Sequence, residues 1–561
     1  MAAPLRALTH PVAWAGLCAA CVLLPMAWAL VAAAASAGEA GAWLALMQDP
    51  QLPRALGLTL WTGLASTTLA CAISLLLLRH VFPGATWQKW TARLPALLAV
   101  PHAAFAIGLV LLIAPSGWLA RLLSPWVTGW AAPPPWATTQ DPLGLGLIAA
   151  LVAKEVPFLL WVAASQLHKA GQAQQWQQQW QVARSLGYAA GSAWWRVVAP
   201  GIWQAWRAPL LAVLAYSLTV VDVALVIGPT HPPTLAVLTW QWLQDPSPSQ
   251  QAQGTAAAWL LAGVVGALAL MLEALRRWPV LRAAWRKWLT LGPTLRVQRP
   301  TRPWPPIASW GLVIALYAAI GATLLFSSVT GYWPFPNLVP QNFSLTAWQA
   351  ATQSGGTIWH TLLLGVASSA TALVWAMAWL ELSPRLPPRW AWVGTAVRLG
   401  MLLALALPMV LWVYGLHRLS LVWGWDLTLR GVWFAHTLMV LPYTLVALAP
   451  AYHGFDVRYA HLCASLGQSR WRFLTRVKWP MLKAALASAF AVGFAVSAAQ
   501  YLPTLYVGGG RITTVTTEAV ALAAGGQRSL AAAHASLQWL LPAVVFALAA
   551  WWAQPQNRNN T

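Results

Sequence analysis

Three ionisable side chains fall where the surrounding sequence is almost wholly apolar. Lys154 and Glu155 lie mid-way along the run 144–167, and Asp222 lies in the run 208–228. A charge at membrane depth is costly, and it marks either a pathway for a polar solute or a buried packing network. Adjacent residues diverge by about 100° around a helix, so Lys154 and Glu155 do not face one another. Lys154 is expected to pair with Asp222 if the two runs pack together, leaving Glu155 to face a pathway or a loop. The later half of the chain has no matching charges. Gln500 and Tyr501 stand near the place corresponding to Asp222, and His436 lies alone in another apolar run, where it reads as a satisfied packing residue. An acidic first half against a neutral second favours a cationic or polar solute along a pathway lined by Lys154, Glu155, Asp222 and Gln500.

Other chemistry is missing from the sequence. There is no Gly-x-x-x-x-Gly-Lys-Ser/Thr phosphate loop, so any ATP is hydrolysed on another protein. No HExxH, GxSxG or Cys/His cluster is present, so neither catalytic residues nor a metal or other cofactor is expected. Cys18 and Cys21 have CxxC spacing without a nearby His or second pair. With Cys71 and Cys463 they read as small packing residues in apolar helix.

The most specific feature is a polar stretch that occurs twice. Gln181-Val-Ala-Arg-Ser-Leu-Gly187, ending at Arg196-Val-Val-Ala-Pro200, is echoed by His461-Leu-Cys-Ala-Ser-Leu-Gly467, ending at Arg476-Val-Lys-Trp-Pro480. Ser185, Gly187, Arg196 and Pro200 recur without a gap, 280 residues later, as Ser465, Gly467, Arg476 and Pro480. Gln174 to Leu186 has no Pro or Gly and is expected to continue a helix out of the membrane, which Gly187 ends in a left-handed conformation. Tyr188 to Val198, with Ser192, then forms a short helix stopped by Pro200; Gln468 to Lys478, with Arg472, repeats it before Pro480.

These residues must be positioned by the long apolar runs. Hydrophobic residues make up 59% of the chain and charged residues 8%, and the runs are continuous, not alternating, which selects membrane-spanning helices over a barrel. Twelve spans are expected. Six run near 12–35, 56–78, 95–114, 144–167, 208–228 and 257–275, and six near 307–327, 358–380, 395–416, 431–452, 484–506 and 532–553.

The net charge of +22 raises the question of nucleic acid, and its distribution answers it. With the N-terminus inside, 26 of the 33 Lys and Arg fall on inner segments, counting Arg398 at the inner edge of its span. Six (Arg54, Arg121, Arg418, Arg430, Arg511 and Arg528) fall on outer loops, and Lys154 lies within a span. This positive-inside pattern orients the chain, puts both duplicated loops and both termini on the cytoplasmic face, and excludes a nucleic-acid reading. The first run is too long for the core of a signal peptide, so a retained first helix is expected. Most of the 41 Trp, such as Trp126, Trp130, Trp136 and Trp333, read as interfacial anchors.

The duplication extends beyond the loops. Thr59-Leu60, Gly63, Ala65 and Ser66 recur as Thr361-Leu362, Gly365, Ala367 and Ser368, and Pro101 with Gly108-Leu109 as Pro408 with Gly415-Leu416. Val156-Pro157-Phe158 recurs as Leu441-Pro442-Tyr443. The expected fold is therefore an all-α polytopic membrane protein with about 12 transmembrane helices as two parallel six-helix repeats, N- and C-termini cytoplasmic. The first half spans 1–275 with its loop near 168–207, and the second spans 307–553 with its loop near 453–483. A basic, Pro-rich linker, 276–306, joins them and is expected to touch anionic membrane lipid; residues 554–561 form a cytoplasmic tail.

The duplicated loop resembles the signature of permease subunits of binding-protein-dependent ABC importers: Glu-Ala-Ala, three residues, Gly, nine residues, Ile, one residue, Leu-Pro. Gly187 and Gly467 match its Gly, Val197 and Val477 its Ile, and Pro200 and Pro480 its Pro. The leading Glu is replaced by Gln181 and His461, and the Leu before Pro by Ala199 and Trp479. The whole chain is similar to two fused permeases of the MetI-like superfamily, of the iron(III), thiamine and YnjC-like group. The resemblance implies an importer permease driven by a separate cytoplasmic ABC ATPase, two copies of which dock on the loops. A periplasmic solute-binding protein would deliver substrate on the other side of a bacterial inner membrane. The rival is an ion-gradient-driven secondary transporter, which also uses repeats and intramembrane carboxylates. It predicts transport by the purified chain alone.

Overall fold

The computed structural model describes residues 11–84, 86–167, 171–292 and 306–554. The start of the first loop (168–170), most of the linker (293–305) and the tail beyond residue 554 lie outside the described residues. In chain order the principal helices of the earlier part are α1 (Pro11–Ala37), α2 (Leu52–Val81), α3 (His102–Ile113), α4 (Leu145–Leu167), α5 (Gln172–Ser185), α6 (Arg207–Thr219), α7 (Asp222–Ile227), α8 (Leu235–Gln244), α9 (Pro248–Arg277) and α10 (Pro279–Thr290). The later part holds α11 (Pro306–Ser327), α12 (Gly355–Leu382), α13 (Ala391–Ala406), α14 (Met409–Val422), α15 (Leu429–His453), α16 (Arg458–Ser465), α17 (Lys483–Ala498), α18 (Leu502–Gly508), α19 (Val515–Ala524) and α20 (Arg528–Ala553). Among the described residues there is no strand, only a single antiparallel bridge between Thr330 and Phe343. Among the described residues nine helices are long and apolar enough to cross a membrane, and up to twelve spans result if each of three sharply bent pairs counts as one.

One of the three bends falls where proline denies the helix a backbone donor. Met409 opens α14 immediately after Pro408, and the paired helices 388–406 and 409–422 meet at 114°, so the run 395–416 is not one straight span. Pro101 likewise stands in extended backbone just before α3 and divides the run 95–114. Proline lacks the amide and pushes its predecessor out of helical conformation. The runs 208–228 and 484–506 also break, between α6 and α7 and between α17 and α18.

Contacts gather the chain into two compact units. One comprises residues 37–343 and 406–408, and the other 1–36, 344–405 and 409–561. The contact units therefore differ from halves cut in chain order in the first helix of each half. α11 packs with α3 in the first unit, where Phe105 and Tyr317 rings lie 4.9 Å apart and Gly108 gives Ile320 and Leu324 room to close. α1 packs in the second unit. There Gly415 lets α14 touch the Ala29 backbone, and Trp375 Nε1 donates to the Cys18 carbonyl at 2.9 Å.

Within the first unit, hydroxyl groups on α2 fold back on the helix. Thr59 and Thr62 each donate to a carbonyl four residues earlier at 2.8 Å, which satisfies them in an apolar setting. Small residues on the same face let helices approach. A methyl at Gly63 would strike Leu218 of α6, and in the second unit one at Gly365 would strike Phe494 of α17. Thr59 also accepts from the Leu235 amide at 2.8 Å, fixing the start of α8. Thr361 accepts from the Val515 amide at 2.9 Å, fixing the start of α19. These ten-residue helices were not expected: the sequence placed them in outer loops, but they are buried and too short to span. Trp194, Trp206, Trp310 and Trp412 are fully buried, so part of the Trp content is core and not interfacial anchor.

Candidate functional site: the duplicated loops and the buried polar groups

Both duplicated stretches fold to the same local pattern. α5 ends at Gly187, whose φ of +89° suits only a residue without a side chain. The Tyr188 amide donates to the Ala183 carbonyl at 3.2 Å and the Gly187 amide to Arg184 at 3.1 Å. α16 ends at Gly467, φ +68°, with Gln468 donating to Cys463 at 2.9 Å and Gly467 to Ala464 at 3.0 Å. This paired 6→1 and 5→2 bonding is the Schellman termination that a C′ glycine permits. Ser185 and Ser465 each return their hydroxyl to a carbonyl three residues back at 2.8 Å.

The following segment differs from expectation. It does not stop at the proline. Ala190–Ala193 continues through a wide π-helical turn, Trp194–Val198, into Ala199–Ala205, and Arg470–Phe473 continues through Leu474–Lys478 into Trp479–Met481. In each copy the wide turn shifts the hydrogen-bond ladder by one residue, so Pro200 and Pro480 follow it without leaving a helical acceptor in conflict with the ring. The chain then bends by 61° into α6 and by 75° into α17. Nor does α5 continue α4: it starts afresh at Gly171, φ +77°. Trp176 of α5 packs on Gly201, and Trp180 Nε1 donates to the Ala190 carbonyl at 3.2 Å, so α5 braces the second segment.

The two loops are tethered differently. In the second, Glu381 at the end of α12 accepts from Arg470 at 2.8 Å and from Lys478 at 2.5 Å. The Lys478 ammonium also lies 4.3 Å from the Tyr452 ring centre, and Trp479 Nε1 donates to Tyr452 Oη at 2.9 Å. Glu381, Tyr452, Phe455, Arg470 and Lys478 line a groove of about 350 Å³ beside α16. Asp456 opens that helix; hydrogen bonds from the Arg458 guanidinium and amide hold its carboxyl below the usual range. In the first loop Arg79 occupies the position on α2 that Glu381 holds on α12, counting from the Thr59 and Thr361 matches, and its guanidinium lies against Gly191. That loop is held from elsewhere. Arg196 donates to the Leu291 and Gly292 carbonyls just past α10, and Tyr188 Oη donates to Leu291 at 3.0 Å. Ser192 is half-buried beside Ala193, Arg472 reaches only its neighbours Ser469 and Gln468, and Arg476 projects outward.

Sequence reasoning missed Glu381 and Tyr188. Glu381 was detectable as an acid standing next to a basic loop, one of only 11 acids in the chain.

The buried charges in the first unit are also arranged otherwise than expected. Lys154 does not pair with Asp222. Its ammonium donates to the Val100 carbonyl at 2.6 Å and lies over the rings of Phe105 and Tyr317, at 5.8 and 5.6 Å. The broken run 95–114 leaves carbonyls without helical donors beside Pro101, and a lysine satisfies one of them. Glu155 instead faces His102, 3.9 Å away, whose ring lies 4.8 Å from that of Tyr216 on α6. Asp222 begins α7, near enough to His102 for the two charges to attract. Glu155, His102, Tyr216 and Asp222 thus gather in one polar group, in which Glu155 is buried and the other three are partly exposed. In the second unit Gln500 is buried in the break between α17 and α18, where its carbonyl accepts from Thr504. His436 is satisfied on both sides, by Ser497 at 2.9 Å and Thr504 at 2.8 Å, as a packing residue should be. No cluster of three or more metal-ligating side chains occurs among the described residues.

A multi-pass helical body carrying paired polar loops fits a transport subunit, and comparison with known proteins shows which class. The chain belongs to the inner-membrane permeases of ABC transporters, whose ATP is hydrolysed on a partner ATPase. It is 36% identical over 553 residues to the inner membrane ABC transporter permease protein YnjC of Escherichia coli (strain K12), covering 98% of this chain and 97% of that one. It is 26% identical over 500 residues to the thiamine transport system permease protein ThiP of Salmonella typhimurium, covering 86% and 85%. The ThiP of Haemophilus influenzae is 29% identical over 178 residues, about a third of each chain. No family model matches the chain. The protein is a multi-pass protein of the inner membrane.

Proposed function

We propose that this permease imports a small cationic solute by alternating access, driven by two copies of a cytoplasmic ATPase that dock on the loops around Gly187 and Gly467. The observation that carries the reading is the recurrence, 280 residues apart, of one glycine-terminated helix followed by one π-turned, proline-bearing segment. A rigid short helix held at a fixed bend to a span transmits force, because movement of one displaces the other. ATP binding would draw the two loops together and open the pathway outward, and hydrolysis would reset it. In this reading the two halves form a parallel repeat about an axis along the membrane normal, both termini are cytoplasmic, and a periplasmic solute-binding protein supplies the solute. Ser185, Ser192, Arg196, Pro200, Ser465, Arg472, Arg476 and Pro480 complete the two docking surfaces.

The substrate class rests on a second observation. Glu155 and Asp222 are both acids near His102, whose ring lies against Tyr216, a combination that suits a cation with a flat ring by ion pairing and stacking. Two relatives are named as thiamine permeases, and a thiamine-like cation fits that chemistry. The test is uptake by proteoliposomes containing the purified chain, with ATPase subunit and loaded solute-binding protein added or withheld. ATP-dependent uptake that needs all three supports the proposal. Uptake by the chain alone in a proton or sodium gradient would establish a secondary transporter instead.

A further inference from the structure

We propose that α10 is an interfacial anchor for anionic phospholipid headgroups and that, through Arg196 and Tyr188, it makes the posture of the first duplicated loop depend on membrane surface charge. Only the consequence for coupling rests on the function proposed above; the lipid contact is independent of it.

The argument begins with spacing. Leu281, Ala284, Trp285, Trp288 and Leu289 fall on one face of α10 at helical period, and Arg282, Arg286 and Lys287 on the other. No residue of the helix is buried, and its apolar face is left open, with Leu281 50% and Trp285 47% exposed. An apolar face with tryptophans is stable in water only if something covers it. The cover is set by position: α10 follows the membrane-long helix α9 after one intervening residue, Trp278, with the basic pair Arg276 and Arg277 at the junction. Arg276 and Arg277 are already paired with Glu273, but no carboxylate among the described residues pairs with Arg282, Arg286 or Lys287. A helix with an open apolar face, Trp at its edge and three free cations, tied to the end of a span, matches the bilayer interface of an anionic leaflet.

The same helix grips the loop. The Arg196 guanidinium lies between the Tyr188 and Trp288 rings, at 5.3 and 5.8 Å, while it and Tyr188 bond the carbonyls that end the helix. The second loop is tethered by Glu381 within its own unit instead. Membrane charge would therefore act on one loop of the two.

The test uses the full chain with Cys18, Cys21, Cys71 and Cys463 replaced by Ala, in nanodiscs of phosphatidylcholine alone or with about one-third phosphatidylglycerol. A spin label is placed at Leu281→Cys or Arg286→Cys. On anionic discs the label at 281 should be reached by oxygen and shielded from an aqueous nickel reagent, and the label at 286 the reverse. Three basic residues near the surface bias docking by roughly a hundredfold, so neutral discs or the triple variant Arg282→Gln, Arg286→Gln, Lys287→Gln should lift the helix. Arg196→Gln with Tyr188→Phe should leave that lipid reading intact and loosen only the loop, seen as faster hydrogen exchange of residues 188–200. Equal nickel access at both positions on anionic discs, or the same result on neutral ones, overturns the proposal. Neither readout uses an ATPase, so a failure of the docking hypothesis would leave this one standing.

Discussion

Removing the Glu381 carboxylate should undock the second loop from α12. Glu381 and Lys478 are nearly buried, with side chains 12% and 13% exposed, whereas Arg470 is half-exposed. The Arg470 arm is therefore worth under about 1 kcal/mol. Stranding a nearly buried Lys478 costs more, about 3 kcal/mol at the low end for a broken buried pair. Its contact with the Tyr452 ring survives and offsets about 1 kcal/mol. Glu381→Ala should thus destabilise docking by about 2 kcal/mol, which multiplies the undocked population roughly thirtyfold. Hydrogen exchange of the amides in 474–482, measured on the purified full chain, should accelerate by a similar factor, while α1 and α14 keep their protection. Lys478→Met should recover most of that loss in the Glu381→Ala background, because removing both charges leaves nothing stranded. If exchange is unchanged in the single variant, or if the double variant is no better, the ion pair does not hold the loop.

Three further outcomes follow from the same geometry. Gly467→Ala meets open space, so its cost is the left-handed backbone alone, about 1 kcal/mol; Gly467→Val and Gly187→Val should cost more and abolish co-purification of the ATPase. Thr59→Val and Thr361→Val leave the Leu235 and Val515 amides without their buried acceptor, a loss of about 1–3 kcal/mol readable as a lower melting temperature and faster exchange of α8 or α19. Glu155→Gln with Asp222→Asn should lower ATP-driven uptake of a cationic solute at least tenfold without changing ATPase association; unchanged uptake removes the polar group from the pathway.

The long spans were legible because membrane helices carry their signal in length and composition, and α2, α4, α9, α12, α15 and α20 all stand where apolar runs predicted them. The glycine terminations were legible for a related reason: Gly187 and Gly467 act through local backbone bonds that nearby sequence determines. What the sequence concealed was tertiary. Helix–helix distances decide whether Lys154 meets Asp222 or the Val100 carbonyl, and no spacing along the chain encodes them. The short helices α8 and α19 depend on packing against α2 and α12 through Thr59 and Thr361. The tethers by Glu381 and by the end of α10 join residues 89 and 95 positions apart.

The packing of α1 has a consequence for synthesis. It packs on Trp375, Gly400 and Gly415, so α1 meets these neighbours only after more than half of the 561 residues have followed it. At about 5–20 residues per second that interval is roughly 20–70 s, during which an alanine-rich helix with Pro25 inside it waits in lipid. Such a helix needs a holding partner, the insertion machinery or transient small-residue packing, and it is the segment most open to quality-control proteolysis. Chains arrested near residue 340 should expose Cys18 to a membrane-permeant thiol reagent, and completed chains should protect it; equal labelling of both would show that α1 docks by another route.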